Sequence, residues 1–316
     1  MSTCKISLIC TFKNEASSIE DFLKSLTLQS RAPDEVIMVD GGSKDGTIDM
    51  INSYGANNTA FPIKVIICEG ANIAQGRNIA VKNASFDVIA VTDLGCTLDK
   101  DWLKNIVKPF EEGLEVDVVS GWTEPDARTR FEKIAADVVF LKLSVVTKNQ
   151  DKFLPPGRSV AFKKACWESV GGYPEWLYTA EDTLYAINLK KAGYRFYFAS
   201  TAVIYWRVRP NLKGIFKQHF LYAKGDAHAG TNTKSHVILT GGFIIAIILS
   251  ICSLYHAIFL IGSFMMFCFY CGFWFWKKSI NFHEAPLSKL FIQLAVDISG
   301  VIGFISGRMA RYYKSN

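Results

Sequence analysis

Three carboxylates each follow a short buried apolar run, a pattern typical of parallel strands covered by helices on both faces. These are Glu15 after Ile6–Thr11, Asp40 after Glu35–Val39, and Asp93 after Val88–Thr92. Ligands in open parallel sheets bind beyond the carboxyl ends of the strands, so we expect these acids at one edge, in contact with a ligand or a metal. For Asp93 an alternative stays open, because it could simply cap a turn before a helix that begins near Asp99.

Two further acids, Glu181 and Asp182, open a predicted helix that carries Leu184, Tyr185 and Leu189. A carboxylate in a ligand site can take the proton from an attacking hydroxyl group. The alternative is that both acids only complement the positive end of the helix dipole.

The elements between these acids alternate between strand and helix, which indicates an α/β layer. Further strands are expected at Ile63–Cys68 and Asp117–Trp122, and helices at Ser17–Leu28, Ile73–Asn83 and Asp99–Glu112. The turn after the first strand, Thr11 to Glu15, contains no G-x-G-x-x-G, which argues against a dinucleotide-binding dehydrogenase. Asp40-Gly41-Gly42-Ser43 is not a P-loop either. An acidic edge instead suggests a nucleotide held through its base and ribose, with its phosphates bound through a metal.

Residues from about Lys5 to Pro210 resemble the family 2 glycosyltransferases of the GT-A type. The motifs that carry the resemblance are Asn14-Glu15, Asp40-Gly41-Gly42-Ser43, Gly76-Arg77-Asn78, the Asp93 turn, Gly171-Gly172-Tyr173-Pro174-Glu175 and Glu181-Asp182. The resemblance implies a mostly parallel sheet flanked by helices, followed here by a C-terminal helical membrane region. It also implies that Glu15, Asp40 and Arg77 hold the nucleotide of a sugar donor, that Asp93 lies at the diphosphate and its divalent metal, and that Asp182 is the catalytic base.

The sequence departs from this family at two places. The family commonly has Asp-x-Asp at the metal turn, whereas this chain has Asp93-Leu94-Gly95. A single carboxylate can still hold Mg²⁺ or Mn²⁺ together with diphosphate oxygens, so one of these ions is the expected cofactor. Gln218-His219-Phe220-Leu221-Tyr222 stands where processive synthases carry Gln-x-x-Arg-Trp, which favours the addition of a single sugar.

The loop Leu154–Ser159 is expected on the acceptor side, together with Glu181. Arg158 in this loop could meet a phosphate or could be a solvated loop charge, and both interpretations stay open. Nothing in the sequence forms a nucleic-acid recognition module, despite a formal net charge of +6.

The later part of the chain is apolar enough to enter a membrane. Residues 237–276 contain no Asp, Glu, Lys or Arg, and a single helix of that length would span about twice the hydrocarbon core. We therefore expect a hairpin of two spans with a turn near Tyr255-His256. Residues 211–236 form a basic juxtamembrane segment, and Lys277-Lys278 follow the hairpin, which favours a cytoplasmic location for both flanks.

Residues 287–316 have an apolar stripe, with Lys289, Gln293 and Asp297 on another face. An amphipathic helix in the membrane interface is favoured over a third span, which would bury Asp297 at a cost of roughly 2.5 to 3.5 kcal/mol.

The amino terminus does not resemble a signal peptide, so the catalytic domain is expected on the cytoplasmic side of the cell membrane. The whole pattern predicts an inverting glycosyltransferase that moves one sugar to a lipid-linked or glycan acceptor. The alternatives are a membrane-tethered binder of sugar nucleotides without catalytic activity, and a nucleotidyltransferase.

Overall fold

The computed structural model describes residues 4–57, 60–278 and 284–315, and the chain forms two compact units. The first unit contains the residues up to Asp126 together with Leu141–Arg207. The second contains Ala127–Phe140 and the residues from Val208 onward. The expected boundary at residue 210 lies close to the last of these junctions, but the segment 127–140 belongs to the second unit.

The first unit is built on one sheet, which has eight strands among the described residues. They are β1 (Ile6–Phe12), β2 (Glu35–Asp40), β3 (Ile63–Ile67), β4 (Val88–Val91), β5 (Cys96–Leu98), β6 (Val118–Asp126), β7 (Val160–Lys163) and β8 (Phe196–Arg207). Their order across the sheet is β3-β2-β1-β4-β7-β6-β8-β5. The pairings make β5 and β7 antiparallel to their neighbours, so six of these eight described strands point the same way. The sheet is therefore mixed, with a parallel half formed by β1 to β4.

Twelve α-helices accompany the strands within the described ranges. They are α1 (Ile19–Thr27), α2 (Thr47–Asn57), α3 (Ile73–Asn83), α4 (Trp102–Glu111), α5 (Arg130–Val139), α6 (Leu143–Val146), α7 (Lys164–Ser169), α8 (Glu181–Lys191), α9 (Leu212–Ala229), α10 (Thr233–Cys252), α11 (Ile258–Lys278) and α12 (Pro286–Ser315). Of these, α5 and α9 to α12 belong to the second unit.

Apolar side chains cover both faces of the parallel half, as the unbroken apolar runs of the sequence predict. Along β1, Ile6, Leu8 and Cys10 belong to one buried cluster and Ile9 belongs to the other. The alternation follows the two-residue period of a strand. Each strand end thus emerges from a core that is packed on both sides, which makes the sheet edge a rigid support.

The segment after Asp93 contains a strand between the turn and the next helix, which the sequence did not predict. Cys96–Leu98 forms the strand β5, which pairs with β8, and the Cys96 amide donates to the Asp93 carbonyl at 3.1 Å. The following helix begins at Trp102 rather than near Asp99. Local sequence could not reveal this strand, because its partner lies about a hundred residues further along the chain.

In the second unit, α12 packs closely on α9 through two glycines. A Cβ atom on Gly303 would meet the backbone of Phe220, and one on Gly307 would meet the backbone of Lys224. Small residues four apart allow two helix backbones to approach in this way, as in membrane helix pairs.

The polar face of α12 is buried, contrary to the expectation that an interfacial helix turns it to water. Lys289 donates to Asp137 on α5 at 2.6 Å, and Asp297 accepts from Tyr270 on α11 at 2.6 Å and from Gln293 at 2.9 Å. The apolar face is the exposed one, with Leu287 79% and Phe291 61% accessible. Hydrogen bonds from Tyr270 and Gln293 therefore offset the free-energy cost of burying Asp297 in an apolar environment.

Several helices of this unit have the length or composition of membrane spans. Among the described residues, α10 and the portion Pro286–Arg311 of α12 are long and apolar enough to cross a bilayer, and Ile258–Trp274 is a shorter apolar stretch. The residues 253–257 separate α10 from α11, at the place where the sequence predicted a turn.

We expect that the approach of α3 to β1 depends on Gly76. A Cβ atom at this position would lie 2.7 Å from Cγ2 of Thr11. Gly76→Ala should therefore destabilise the chain by about 1–3 kcal/mol through overpacking, seen as a lower melting temperature of the purified protein.

A matched control is available at Gly55 in α2, where an added Cβ meets nothing within 4 Å. Gly55→Ala should stabilise by up to about 1 kcal/mol through helix propensity. Thr11→Ser, which removes Cγ2, should recover much of the loss in Gly76→Ala. Equal melting temperatures for Gly76→Ala and the wild type would contradict the packing argument.

Candidate active site

The loops after β1 and β2 are tied together by hydrogen bonds at the carboxyl end of the sheet. The Asn14 amide donates to Ser43 Oγ at 2.8 Å, and Asn14 Oδ1 accepts from the Lys44 amide at 2.9 Å. The Glu15 amide donates to Thr47 Oγ1 at 2.9 Å. Asn14 adopts φ of 57°, a left-handed conformation that asparagine tolerates better than most residues. These bonds fix the position of Glu15 relative to β2.

Asp40 is engaged entirely by its own loop. Its side chain is fully buried, and its carboxylate accepts hydrogen bonds from the Gly42 amide at 2.9 Å and from the amide and hydroxyl of Ser43. In this arrangement Asp40 shapes the Gly41-Gly42-Ser43 turn rather than presenting a free carboxylate. Gly41 cannot carry a side chain here, because a Cβ would lie 2.9 Å from the Ala71 carbonyl oxygen.

Arg77, which belongs to α3, lies at the centre of the site. Its guanidinium donates to Glu181 Oε1 at 2.8 Å and to Asp93 Oδ1 at 3.0 Å, and it lies 5.5 Å from the ring centroid of Tyr173. Only 2% of the residue is exposed. Arg77 therefore joins the acid that follows β4 to the acid that opens α8, and its charge is already matched by two carboxylates.

Asp182 is held by the backbone of the loop that precedes β7. Its Oδ2 accepts from the Gly157 amide at 2.9 Å, and its Oδ1 accepts from the Thr183 amide at 2.7 Å. A Cβ on Gly157 would lie 2.7 Å from both terminal nitrogens of Arg77. Glycine is thus required at 157 for the loop to approach both Arg77 and Asp182. Asp182 itself is half-buried, less enclosed than the neighbouring Glu181.

Glu181, which was expected on the acceptor side, is buried beside Arg77 with 7% of its side chain exposed. Burial raises the pKa of Glu181 to about 7, and repulsion from Asp182 acts in the same direction, while the Arg77 charge opposes both. The two neighbouring acids therefore differ in environment: one is enclosed and paired, and the other faces the site.

The turn that contains the two adjacent glycines fixes the start of α8. Asn78 donates to the carbonyl of Tyr173 and to the carboxylate of Glu175, each at 2.9 Å, and accepts from the Trp167 indole at 2.8 Å. Gly172 has φ of 78° and leaves no room for a Cβ beside Asn78. Ala180, which precedes Glu181, has φ of 65°, so strained backbone lies directly next to the acid pair.

Arg158 lies beside the strand that follows the Asp93 turn. Its guanidinium stacks 3.7 Å from the ring centroid of Trp206 on β8, and Trp206 pairs with Cys96 on β5. Burial, and after it the charge of Asp93, raises the pKa of the Cys96 thiol, and the charge of Arg158 acts in the opposite direction. A half-buried cation thus lies within electrostatic range of the Asp93 turn.

Asp93 is the most accessible of the acids that Arg77 contacts, with 34% of its side chain exposed. In the part of the chain that the structure describes, no group of three or more His, Cys, Asp or Glu is arranged to hold a metal ion. A carboxylate at such a turn suits Mg²⁺ or Mn²⁺ only if other oxygen ligands, including those of a substrate, complete the shell.

The structure brings together Asp93, Arg77, Glu181 and Asp182, which the sequence named separately. Two participants were missed. Gly157 lies in the loop Leu154–Ser159, where the Pro155-Pro156-Gly157 sequence indicates a turn but no contact with Asp182. Tyr173, whose ring lies by Arg77, belongs to the Gly171–Glu175 motif, which does not by itself indicate this contact.

Comparison with known proteins identifies the family of the chain. The family described as "Glycosyl transferase family 2" matches residues 7–169, slightly more than half of the chain. The chain belongs to this family. It is therefore a glycosyltransferase.

Named relatives are similar over about two thirds of the chain. The chain is 27% identical over 229 residues to the glycosyltransferase AglE of Haloferax volcanii, covering 70% of this chain and 72% of AglE. It is 28% identical over 210 residues to the O-antigen chain rhamnosyltransferase RfbN of Salmonella typhimurium, covering 63% of this chain and 65% of RfbN. Poly-beta-1,6-N-acetyl-D-glucosamine synthase of Staphylococcus aureus is 24% identical, and the match spans only 54% of that enzyme.

Two solved structures share the fold. The mannosyltransferase PcManGT of Pyrobaculum calidifontis, solved with GDP-Man and Mn²⁺, has a TM-score of 0.61 at 18% identity and covers all of this chain and 89% of its own. TarS of Staphylococcus aureus has a TM-score of 0.51 at 20% identity, over 69% of this chain and 39% of its own. The mixed sheet with its flanking helices is thus a GT-A type fold.

The raised pKa of Glu181 predicts a pH-dependent contribution to stability. The protonated form is favoured in the folded chain, so this contribution is present in full below about pH 4.5 and is lost as the pH rises through about 7. Glu181→Gln cannot ionise. Its stability relative to the wild type should therefore increase between pH 4.5 and 7.5, by on the order of 3 kcal/mol, and then level off.

Melting temperatures of both full-length proteins across this pH range provide the measurement. The substitution also removes the carboxyl partner of Arg77, which shifts the melting temperature at every pH. The test therefore uses only the change with pH in the difference between the two melting temperatures. Glu168→Gln, at an exposed carboxylate, is the matched control and should follow the wild type. Parallel profiles for Glu181→Gln and the wild type would show that Glu181 is ionised throughout.

Proposed function

We propose that the chain transfers one sugar, with inversion, from a nucleotide-diphosphate sugar to an acceptor hydroxyl, and that Asp182 is the base. The observation that carries the proposal is the placement of Asp182. One of its oxygens accepts a hydrogen bond from the Gly157 amide. The half-buried residue lies in the first turn of α8, next to Glu181, which together with Asp93 accepts hydrogen bonds from Arg77. A fixed carboxylate can accept the hydroxyl proton while the acceptor oxygen bonds to the anomeric carbon and the nucleoside diphosphate departs.

The departing diphosphate requires positive charge. Arg77 is enclosed and already matched by two carboxylates, so we assign it to positioning Asp93 and Glu181 rather than to direct donor contact. Arg158 is the better placed cation, because it lies beside the Asp93 turn, and we therefore assign it to the diphosphate side. A divalent cation at Asp93 would neutralise phosphate charge, and the Mn²⁺ bound by PcManGT supports its use here.

The alternatives are less well supported. A nucleotidyltransferase would need a basic, glycine-rich triphosphate loop near β1, and the described loop there is held instead by Asn14, Ser43 and Thr47. A binder without catalytic activity would not need the Asp182 carboxylate to be oriented by the Gly157 amide. Addition of a single sugar is supported by α9, where Leu221 and Tyr222 replace the Arg-Trp of processive synthases and Gln218 donates to Tyr222 Oη at 3.1 Å.

Asp182→Asn tests the role of the base. The variant should lose at least about 100-fold in turnover, because the amide cannot accept the proton, and should retain donor affinity. Donor affinity is measured by thermal shift against a panel of nucleotide sugars, and turnover by release of nucleoside diphosphate with acceptor. A variant that keeps its turnover would contradict the assignment, and a loss of donor affinity would indicate a binding role instead.

A membrane location is also proposed, with the catalytic unit in the cytoplasm. The apolar side chains of α10 are exposed along its length, and none of its candidate span is buried within the chain. We assign α10 and α11 to a membrane hairpin and the exposed apolar face of α12 to contact with lipid. Because an anchored transferase works at a bilayer surface, a lipid-linked acceptor fits this arrangement best.

The acceptor class can be tested with the purified full chain in detergent. Transfer to a polyprenyl-diphosphate-linked sugar should exceed transfer to the same sugar in free, water-soluble form by at least about tenfold, because the anchor raises the local acceptor concentration. Equal transfer to both forms, or transfer to the soluble form alone, would contradict a lipid-linked acceptor while leaving the glycosyltransferase activity intact.

A further inference from the structure

We propose that Glu15 supplies the carboxylate that is missing from the Asp93 turn, so that Glu15 and Asp93 together hold the divalent cation at the donor diphosphate. This inference rests on the proposed function, because it needs a donor with a diphosphate. It gives Glu15 the role of a metal ligand, whereas the family resemblance implied only that Glu15 holds the nucleotide.

The first argument is spatial. Gly95 occupies the position at which the family commonly has its second aspartate. A Cβ atom built on Gly95 would lie 3.8 Å from Oε2 and 3.9 Å from Oε1 of Glu15. The Glu15 carboxylate therefore occupies the space into which an aspartate at 95 would extend its own carboxylate, one bond beyond its Cβ. A carboxylate is thus present beside the turn, although it comes from a different loop.

The second argument is that Glu15 is held in this position from several sides. Its amide donates to Thr47 Oγ1 at 2.9 Å, and its carbonyl accepts from the Ser18 and Ile19 amides at 3.0 and 2.9 Å. Its Oε2 accepts from Ser18 Oγ at 2.5 Å. One hydroxyl contact uses only part of the acceptor capacity of a carboxylate, so lone pairs remain for a cation. The half-buried side chain keeps access to solvent.

The third argument is electrostatic. Two carboxylates lie at the same turn: Asp93 itself, and Glu15, whose oxygens lie beside Gly95. One oxygen of Asp93 is matched by Arg77 at 3.0 Å. The Glu15 carboxylate has a hydroxyl partner in Ser18, and Ser18 carries no charge. Mg²⁺ and Mn²⁺ are commonly bound by one or two carboxylates with substrate phosphates, and this pair meets that requirement.

A different interpretation of Glu15 is that it only orders the entry to α1 through Ser18. In that case its removal would affect stability and leave metal affinity unchanged. Another is that Glu15 contacts the nucleotide directly, in which case its removal would weaken nucleotide binding without any metal. The test below separates both from the proposal.

The decisive measurement is the affinity of the full chain for Mn²⁺ in the presence of UDP or GDP, monitored by electron paramagnetic resonance. Glu15→Gln should weaken Mn²⁺ affinity by at least about tenfold, while nucleotide affinity in EDTA stays unchanged. Gly95→Asp added to Glu15→Gln should restore Mn²⁺ affinity, because it places a carboxylate in the same space from the other loop. Gly95 has no positive φ that would resist the substitution.

Glu20→Gln on α1 is the matched control, since it removes an exposed carboxylate five residues further along. It should leave Mn²⁺ affinity unchanged. The proposal is overturned if Glu15→Gln keeps wild-type Mn²⁺ affinity, if it weakens nucleotide binding equally in EDTA, or if Gly95→Asp fails to restore the affinity. None of these readouts requires sugar transfer, so a failure here is distinguishable from a failure of the Asp182 assignment.

Discussion

The buried guanidinium of Arg77 is the interaction on which the site depends. It joins Asp93, which follows a strand of the parallel half, to Glu181, which begins α8 about ninety residues later. A buried charge is tolerated only when it is paired, and here two carboxylates and the Tyr173 ring surround it. The same guanidinium lies against Gly157, so the loop that holds Asp182 is positioned by it as well.

This arrangement separates the roles of two neighbouring acids. Glu181 is turned inward, where burial raises its pKa, while Asp182 stays half-exposed with its carboxylate oriented by backbone amides. Successive residues at a helix start point in different directions, so one can anchor the helix and the other can face a substrate. The strained backbone at Ala180 is kept because the turn before it is fixed by Asn78.

The second unit shows that a polar stripe does not always mark the water-facing side of a helix. Lys289, Gln293 and Asp297 lie in the interior of the unit, and the apolar side chains of α12 face outward. Periodicity identified the two faces correctly, but the assignment of each face depends on the surrounding medium and on the partners from other helices. Asp137 and Tyr270 provide those partners.

The sequence alone indicated the family, the order of strands and helices as far as β4, and an edge at which the strands before Glu15, Asp40 and Asp93 end, because apolar periodicity and strand-end chemistry are local signals. Only the tertiary structure decided which of these acids are buried and which remain partly exposed. It showed Asp40 and Arg77 enclosed, placed β5 against a distant strand, and brought the Glu15 carboxylate beside Gly95. These outcomes depend on contacts between segments far apart in the chain, and single-sequence patterns carry no information about such contacts.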